Sequence, residues 1–180
     1  MIKKQVNIKI VQPELKTNRL LLRNMLVEDY KDLFETRFHP EVLKHIKRDQ
    51  IEDKLEMKTF ISDRLEAIKN NSLCFWAIST FESPKLIGTI CLWNYNDDKT
   101  IAEIGYDLHP DYHKKGFMSE AMEVVLKFGF SKLQLDSVEA FTSKHNDNSK
   151  RLLEKFDFNL EAHRKDKGFP NNIIYTKQHA

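Results

Sequence analysis

The sequence is poor in the residues that mark several specialised classes of protein. It has two cysteines, five glycines and five prolines among 180 residues, so neither a disulfide scaffold nor a collagen-like chain is indicated. No apolar run approaches the roughly 18 residues that a membrane span needs. The first twelve residues, MIKKQVNIKIVQ, carry the charges of a secretory signal but no apolar stretch behind them. We therefore expect a cytoplasmic protein without a membrane partner.

The sequence also lacks an excess of charge of either sign. Lysine and arginine number 29 against 27 acidic residues, a formal net charge of +2, which argues against a general nucleic-acid binder. The charged fraction of 31% beside an apolar fraction of 41% is typical of a globular chain. No repeat or linker divides the sequence, so we predict an irregular N-terminal arm over residues 1–16 and one domain over residues 17–180.

Neither the cysteines nor the histidines predict a reactive or metal-binding centre. Cys74 and Cys91 lie in apolar, strand-like runs, and reduced thiols packed as small hydrophobes are favoured over a disulfide. His109 and His113 have an i,i+4 spacing, but Pro110 disfavours the helix that would bring both rings to a zinc ion. No metal site is predicted.

The hydrophobic pattern predicts an α/β fold. Apolar runs predict strands near residues 17–24, 73–79, 86–93, 102–109, 138–142, 159–164 and 173–177. Apolar residues at helical spacing predict helices over residues 27–36, 51–70, 116–133 and 149–156, with a short one opened by His39-Pro40. Turn residues after the second and third runs, Glu82-Ser83-Pro84 and Asn96-Asp97-Asp98, favour an antiparallel meander. Because helices separate the later strands, the sheet should be mixed.

The stretch from Ile104 to Met122, IGYDLHPDYHKKGFMSEAM, is the most informative. A strand ends there, a loop with two lysines and a glycine follows, and an amphipathic helix begins at once. The N-terminus of a helix presents unpaired N–H groups and the positive end of the helix dipole. Gly116 permits a positive φ or a close approach of the backbone to a ligand. A phosphate site is one interpretation and a solvated turn is the other.

Two further stretches, IAEIGY at 101–106 and NDNSKRLLEKFDF at 146–158, together with TNRLLLRN at 17–24, complete a family pattern. In this order they resemble the GNAT superfamily of acetyl-CoA-dependent N-acetyltransferases, and its RimJ/RimL-like branch of ribosomal-protein N-acetyltransferases in particular. The resemblance implies a strongly twisted mixed sheet of about seven strands flanked by helices. It also implies acetyl-CoA as co-substrate and an amine as acceptor.

The resemblance assigns residues to the co-substrate. The family's diphosphate motif Q/R-x-x-G-x-G/A falls on residues 113–118, and its N-x-x-S motif falls on Asn146 and Ser149. The backbone at the end of the preceding strand should line the cofactor arm. The residues so implied are Leu108, His109, His113, Lys114, Lys115, Gly116, Phe117, Met118, Ser119, Asn146 and Ser149. His113, Met118 and Asp157 depart from the usual residues at their positions, whereas the middle glycine is kept.

The family reaction is attack of an amine on the thioester, which needs a base, donors for the oxyanion and help for the leaving thiolate. Glu103 matches a glutamate that acts as base, through water, in some relatives; a structural carboxylate is the alternative, and Asp107 is the fallback base. Ser149 matches a hydroxyl that serves the CoA sulfur in the RimL-like branch, or it is a helix N-cap. Leu153 stands where many relatives have a tyrosine acid.

The acceptor favoured by this reasoning is the α-amine of a protein N-terminus. Its ordinary pKa of about 7.7–8.0 makes little demand on a base, whereas a lysine near 10.4 demands a strong one. Two alternatives stay open: a small amine such as a polyamine or an amino sugar, and a catalytically silent CoA-binding module. The pattern indicates no oligomeric state.

Overall fold

The structure is a computed structural model that describes residues 12–46, 48, 51 and 53–179. Within that part of the chain, five α-helices surround one eight-stranded sheet. The strands are β1 (Leu15–Lys16), β2 (Leu20–Asn24), β3 (Cys74–Thr80), β4 (Ser83–Trp93), β5 (Ile101–Leu108), β6 (Ser137–Ser143), β7 (Asn159–Leu160) and β8 (Asn172–Gln178). The helices are α1 (Tyr30–Arg37), α2 (Pro40–Leu43), α3 (Glu56–Lys69), α4 (Phe117–Ser131) and α5 (Asp147–Lys155).

The strand order across the sheet is β1-β2-β3-β4-β5-β6-β8-β7. Neighbouring strands are antiparallel with one exception, the parallel pair β5 and β6. A parallel connection needs a crossover, and α4 supplies it between these two strands. The mixed sheet with flanking helices confirms the predicted fold class.

Helices cover both faces of the sheet, and the alternation of side chains along each strand separates two cores. On β3, Trp76 and Ile78 join the core formed with α4, whereas Phe75 and Ala77 join the core formed with α1 and α3. Trp76 is fully buried and meets the Phe128 ring edge to face, with 5.5 Å between centroids. The helix α5 adds Leu153 to the first core. Ala102, Ile104 and Leu108 of β5 also belong to the first core.

The residues just before the predicted domain pack against the sheet. Leu15 and Lys16 form β1, the Gln12 side chain bonds both the N–H and the carbonyl of Phe75, and Trp76 Nε1 donates to the Pro13 carbonyl at 2.7 Å. Residues 1–11 of the predicted arm lie outside the described residues. In the described part, the arm belongs to the sheet.

Element boundaries differ from the sequence pattern in two instructive places. β4 begins at Ser83, within the predicted turn, because Ser83 pairs with Thr80 across a two-residue turn. Pro84 is tolerated there, since β5 pairs with β4 only from Gly88 onward. The predicted helix over 51–70 begins at Glu56, after a turn in which Asp53 Oδ1 accepts the Leu55 N–H at 2.8 Å.

No helix in the described ranges combines the length and the apolar character that crossing a bilayer requires.

Gly88 allows β4 to lie against the end of β5. A Cβ built at this position would stand 2.5 Å from the Asp107 carbonyl oxygen and 3.0 Å from the Leu108 Cα. Because the obstructing atoms are backbone, neither strand can relieve the overlap by changing a rotamer. We expect Gly88→Ala to lower the free energy of unfolding by about 1–3 kcal/mol, measured by urea denaturation. Unchanged stability would contradict this close approach.

Candidate active site

A gap opens where β5 and β6 separate. Their parallel pairing covers only residues 101–103 against residues 137–139, yet β5 continues to Leu108 and β6 to Ser143. Beyond Glu103, the edge of β5 that faces β6 has no strand partner in the described structure. The backbone of β5 is therefore available to a ligand at its carboxyl end.

The register shows which backbone groups enter this gap. His109 donates its N–H to the Ile87 carbonyl at 2.8 Å, on the side of β4. Successive N–H groups of a strand point to opposite edges, so those of Tyr106 and Leu108 point toward the gap. The Leu108 carbonyl accepts a hydrogen bond from His113 Nε2 at 2.8 Å. His113 thus ties the loop to the end of the strand.

The loop that follows β5 ends in a left-handed residue. Gly116, at φ 82° and ψ 0°, is the N-cap of α4, and its conformation is one that residues with a Cβ rarely adopt. The first N–H groups of α4 have no acceptor within the helix. Together with the helix dipole they form an anion site of the kind that binds phosphates.

Arg19, on the turn before β2, fixes this loop from the other side. Its Nη2 donates to the Lys115 carbonyl at 2.9 Å, and its guanidinium lies 4.4 Å from the centroid of the Phe117 ring. Glu120, on the first turn of α4, forms an ion pair with Arg19 and accepts a hydrogen bond from Thr17 Oγ1 at 2.7 Å. The family likeness included this segment, but the sequence analysis assigned it no role.

A cavity of about 670 Å³ occupies the gap and extends over the loop. It brings together nine of the residues predicted to bind the co-substrate: Leu108, His113, Lys114, Gly116, Phe117, Met118, Ser119, Asn146 and Ser149. Two predicted residues do not line it. The Lys115 carbonyl binds Arg19, and the His109 ring lies edge to face with His39, 5.3 Å between centroids.

Ser149 faces the cavity from the first turn of α5. The N-cap of this helix is Asn146, whose Oδ1 accepts the Ser149 N–H at 3.1 Å. Ser149 is therefore not the N-cap that the sequence analysis considered as one role for it. Its side chain is free for another partner, and its Oγ lies 2.8 Å from the hydroxyl of Tyr106.

The side-chain hydroxyl of Tyr106 is the group that sequence reasoning missed, although the resemblance had implied a backbone N–H near Tyr106 to Leu108 as oxyanion donor. It lies on β5 and lines the cavity with Ser149, whereas Leu153, one turn farther along α5, is fully buried in the core. Burial raises the pKa of Tyr106 to about 12, against a smaller lowering by its bond to Ser149. The alternation of β5 was the available signal, because it places Tyr106 on the same face as Leu108.

Glu103 is the last residue of β5 that pairs with β6, and it is not among the residues that line the cavity. Burial raises the pKa of its carboxyl to about 7, with further increases from Asp166 and Glu139 and a partial offset from Asn94. Asn94 Nδ2 donates to Glu103 Oε2 at 3.3 Å. A carboxyl of this kind exchanges protons near neutral pH.

Asp107, the fallback base, is occupied by structural partners. It is buried, accepts a hydrogen bond from Thr89 at 2.7 Å and forms an ion pair with Arg48 at 2.8 Å. Arg37 lies 3.6 Å from the same carboxylate oxygen. Through these two arginines, Asp107 joins α1 and the segment before α3 to β5.

The cysteines are free and buried, as predicted. Burial raises the pKa of Cys74 to about 11 and that of Cys91 to about 12. Thiols that stay protonated at neutral pH are poor nucleophiles. Among the described residues, no group of three or more histidine, cysteine or acidic side chains is placed to hold a metal ion.

Comparison with known proteins is consistent with this geometry. A family model described as an acetyltransferase (GNAT) domain matches residues 19–159. The uncharacterized N-acetyltransferase YoaA of Bacillus subtilis is 29% identical over 163 residues, 91% of this chain and 92% of that protein. The uncharacterized N-acetyltransferase p20 of Bacillus licheniformis is 33% identical over 149 residues, 82% of this chain and 83% of that protein.

A solved structure with the same fold is the ribosomal-protein-S5-alanine acetyltransferase of Vibrio fischeri. Its TM-score is 0.78 at 20% identity, covering 92% of this chain and 96% of that one. The family match settles the class: the chain belongs to the GNAT acetyltransferases. The protein is an N-acetyltransferase that uses acetyl-CoA as its acetyl donor, as the sequence motifs predicted.

The conformation of Gly116 leads to a test of the loop as the diphosphate site. We expect Gly116→Val to weaken CoA binding at least tenfold, about 1.4 kcal/mol, because a side chain would strain a residue at φ 82° and would approach Arg19 Nη2. Isothermal titration calorimetry measures the dissociation constant. We expect Lys114→Ala to cost less, since an exposed charge is screened by salt.

Gly168 provides a matched control. It has a similar φ of 86° but lies in the loop before β8, with no other atom within 4 Å of a built Cβ. Gly168→Val should therefore carry the same backbone strain without changing CoA affinity. Equal affinities of wild type and Gly116→Val would overturn the assignment of the diphosphate to this loop.

Proposed function

We propose that the protein acetylates the α-amine of a protein N-terminus, with Glu103 as the base acting through water. The observation that carries this proposal is the carboxyl of Glu103, whose pKa is raised to about 7. About half of this group is ionised at neutral pH and ready to accept a proton. An α-ammonium has a pKa of about 7.7–8.0, so its proton moves to such a base at little cost.

A lysine side chain fits this base much less well. Its pKa of about 10.4 means that it holds the proton roughly 2.5 units more tightly than an α-amine does, or about 3.4 kcal/mol. Even with its pKa raised to about 7, Glu103 stays roughly 3.4 units below a lysine ammonium, so it does not offset that difference. A weakly basic amine is the acceptor that matches this group.

Gly105 and Trp93 lie beside Glu103 on one face of the sheet. A Cβ built at Gly105 would lie 3.1 Å from Cys91 Sγ and 3.6 Å from the indole nitrogen of Trp93. Trp93 pairs with Glu103 across the two strands and is 41% exposed. A chain end resting over Gly105 would have Trp93 beside it.

The remaining roles follow from position. Glu103 and Tyr106 are three residues apart, roughly 10 Å along a strand, so a proton reaches Glu103 through water rather than directly. The N–H groups of Tyr106 and Leu108 serve the developing oxyanion. Asn146, at the N-cap of α5, serves the amides of the pantetheine arm. The Vibrio fischeri protein of the same fold, named for its action on an alanine of a ribosomal protein, supports a protein N-terminus as acceptor.

The acceptor preference can be measured with two peptides of one sequence. One has a free N-terminus and no lysine, and the other has a blocked N-terminus and a single lysine. We expect kcat/KM at pH 7 to favour the free N-terminus by on the order of 100-fold, because of the difference in amine pKa. Release of free thiol from acetyl-CoA is the readout, with a polyamine and an aminoglycoside assayed in parallel.

Each outcome has a defined meaning. Preference for the free N-terminus supports the proposal, whereas a faster reaction with lysine contradicts the argument from amine pKa. Faster turnover of the polyamine or aminoglycoside would assign the site to a small amine. CoA binding without thiol release on any amine would be the behaviour of a silent binding module and would contradict the proposal.

A second prediction isolates the base. We expect Glu103→Gln to lower kcat/KM by about 10–100-fold at pH 7, the range of general-base catalysis or slightly below it. Much of the loss should disappear by pH 9, where the free amine dominates. A pH–rate profile of wild type and variant tests this, and a loss that persists at pH 9 would make Glu103 a residue that positions substrate instead.

Asp166 offers a control for the pKa of Glu103. The Asp166 carboxylate raises that pKa, so Asp166→Asn should lower it and move the acidic limb of the profile to lower pH. The plateau above pH 8 should stay unchanged, because the base itself is intact. A limb that does not move would show that another group controls the rate.

A further inference from the structure

The hydroxyls of Tyr106 and Ser149 form a pair across the gap between β5 and α5. Their oxygens lie 2.8 Å apart, and both residues line the cavity. Ser149 is buried, and Tyr106 packs against the core beneath the sheet. The two hydroxyls come from different elements, so packing of α5 on β5 decides that they meet.

A count of hydrogens shows what the pair offers to a ligand. Each hydroxyl has one hydrogen, and the bond between them uses one of the two. Among the described residues, neither oxygen has another hydrogen-bond partner in the protein. One O–H therefore stays without a protein acceptor whichever residue donates, and it belongs to a pair that lines the cavity.

We propose that Tyr106 is a positioning residue: its hydroxyl donates to Ser149 Oγ and orients the Ser149 O–H so that this O–H donates to the sulfur of acetyl-CoA. Acetyl transfer forms a bond between the amine nitrogen and the acetyl carbon and breaks the bond between that carbon and sulfur, whose electron pair stays on sulfur. The proton of the amine goes to the base. A donor at the sulfur stabilises the departing thiolate.

The pair can donate a hydrogen bond to the sulfur without transferring the proton to it. A free thiol has an ordinary pKa near 8.5, whereas the pKa of Tyr106 is about 12. Moving a proton from the pair to the thiolate would leave the more basic anion inside the protein. The phenol instead stays neutral and keeps its hydrogen at every pH used in an assay. This explains how the site operates with Leu153 in the core, where many relatives have a tyrosine.

The role rests on the acetyltransferase activity and not on the identity of the acceptor. The test therefore uses whichever amine of the panel above reacts fastest, and it measures the single-turnover rate constant of acetyl transfer with acetyl-CoA bound beforehand. We expect Tyr106→Phe to lower this constant about 10-fold. The KM for acetyl-CoA should stay within about twofold of wild type, since the diphosphate loop and Asn146 are unchanged.

A double-mutant cycle separates a pair from two independent groups. Ser149→Ala should lower the rate constant at least as much as Tyr106→Phe does. In the double variant the loss should equal that of Ser149→Ala alone within about twofold, because Tyr106 acts through Ser149. Ser149→Thr keeps a hydroxyl and should recover most of the rate. Multiplicative losses in the cycle would overturn the proposal.

Tyr175 is a matched control for the packing of α5. It lies on β8, and its hydroxyl donates to Glu154 Oε1 at 3.2 Å, so it also joins a strand to α5, but it does not line the cavity. Tyr175→Phe should leave the rate constant within about twofold of wild type. A loss equal to that of Tyr106→Phe would mean that both tyrosines merely hold the helix. An unchanged rate in Tyr106→Phe would refute the pair as well.

Discussion

The separation of β5 from β6 is the constraint on which the site depends. Three residue pairs hold these parallel strands together at one end, and at the other end the backbone of β5 is open. A strand that pairs on one side and is open on the other would ordinarily be an edge that invites aggregation. Here α4 and α5 flank the opening, so that the unpaired groups face a cavity rather than a flat surface.

The layers on either side of the sheet keep this opening in shape. The core formed with α4 holds one face of β5 through Ala102 and Ile104. The other face is held at its end by Asp107, whose ion pairs reach Arg48 and Arg37. The loop after β5 is held by Arg19, which donates a hydrogen bond to the Lys115 carbonyl. The polar groups in the gap are therefore placed by packing before any ligand arrives, which is the condition for electrostatic catalysis.

The carboxyl that we propose as the base carries a cost in stability. Burial raises the pKa of Glu103 from its ordinary 4.5 to about 7, so the folded chain retains a proton that the unfolded chain has released. The contribution of this group to stability is complete below about pH 4.5 and is lost as the pH rises through about 7. A carboxyl with so high a pKa is thus less favourable at neutral pH than an amide of the same shape would be.

Much of the fold and part of the site could be read from the sequence because they rest on local signals. The continuous apolar run at 74–80 predicts a strand buried on both faces, the helical spacing in α4 predicts one apolar face, and these surfaces pack in the cores. Gly116 and the helix that it opens are adjacent in the chain, so a short motif contains the whole anion site. The family pattern at Asn146 and Ser149 is equally local. The strand predicted over residues 159–164, by contrast, is shorter in the structure, because only Asn159 and Leu160 pair with β8.

Tertiary structure alone decided what lies between distant segments. Tyr106 and Ser149 are 43 residues apart, and no local pattern says that their hydroxyls meet. Arg19 binds a loop 96 residues away. Asp107 was the fallback base in the sequence analysis, but its arginine partners come from α1 and the segment before α3. The pKa of Glu103 is likewise a property of its burial and of carboxylates on other elements. The sequence by itself determined the elements and the conformation of the loop at Gly116, to which we assign the diphosphate, because each depends on neighbours in the chain. The protonation states and the hydroxyl pair depend on distances in space, which only the packed sheet creates.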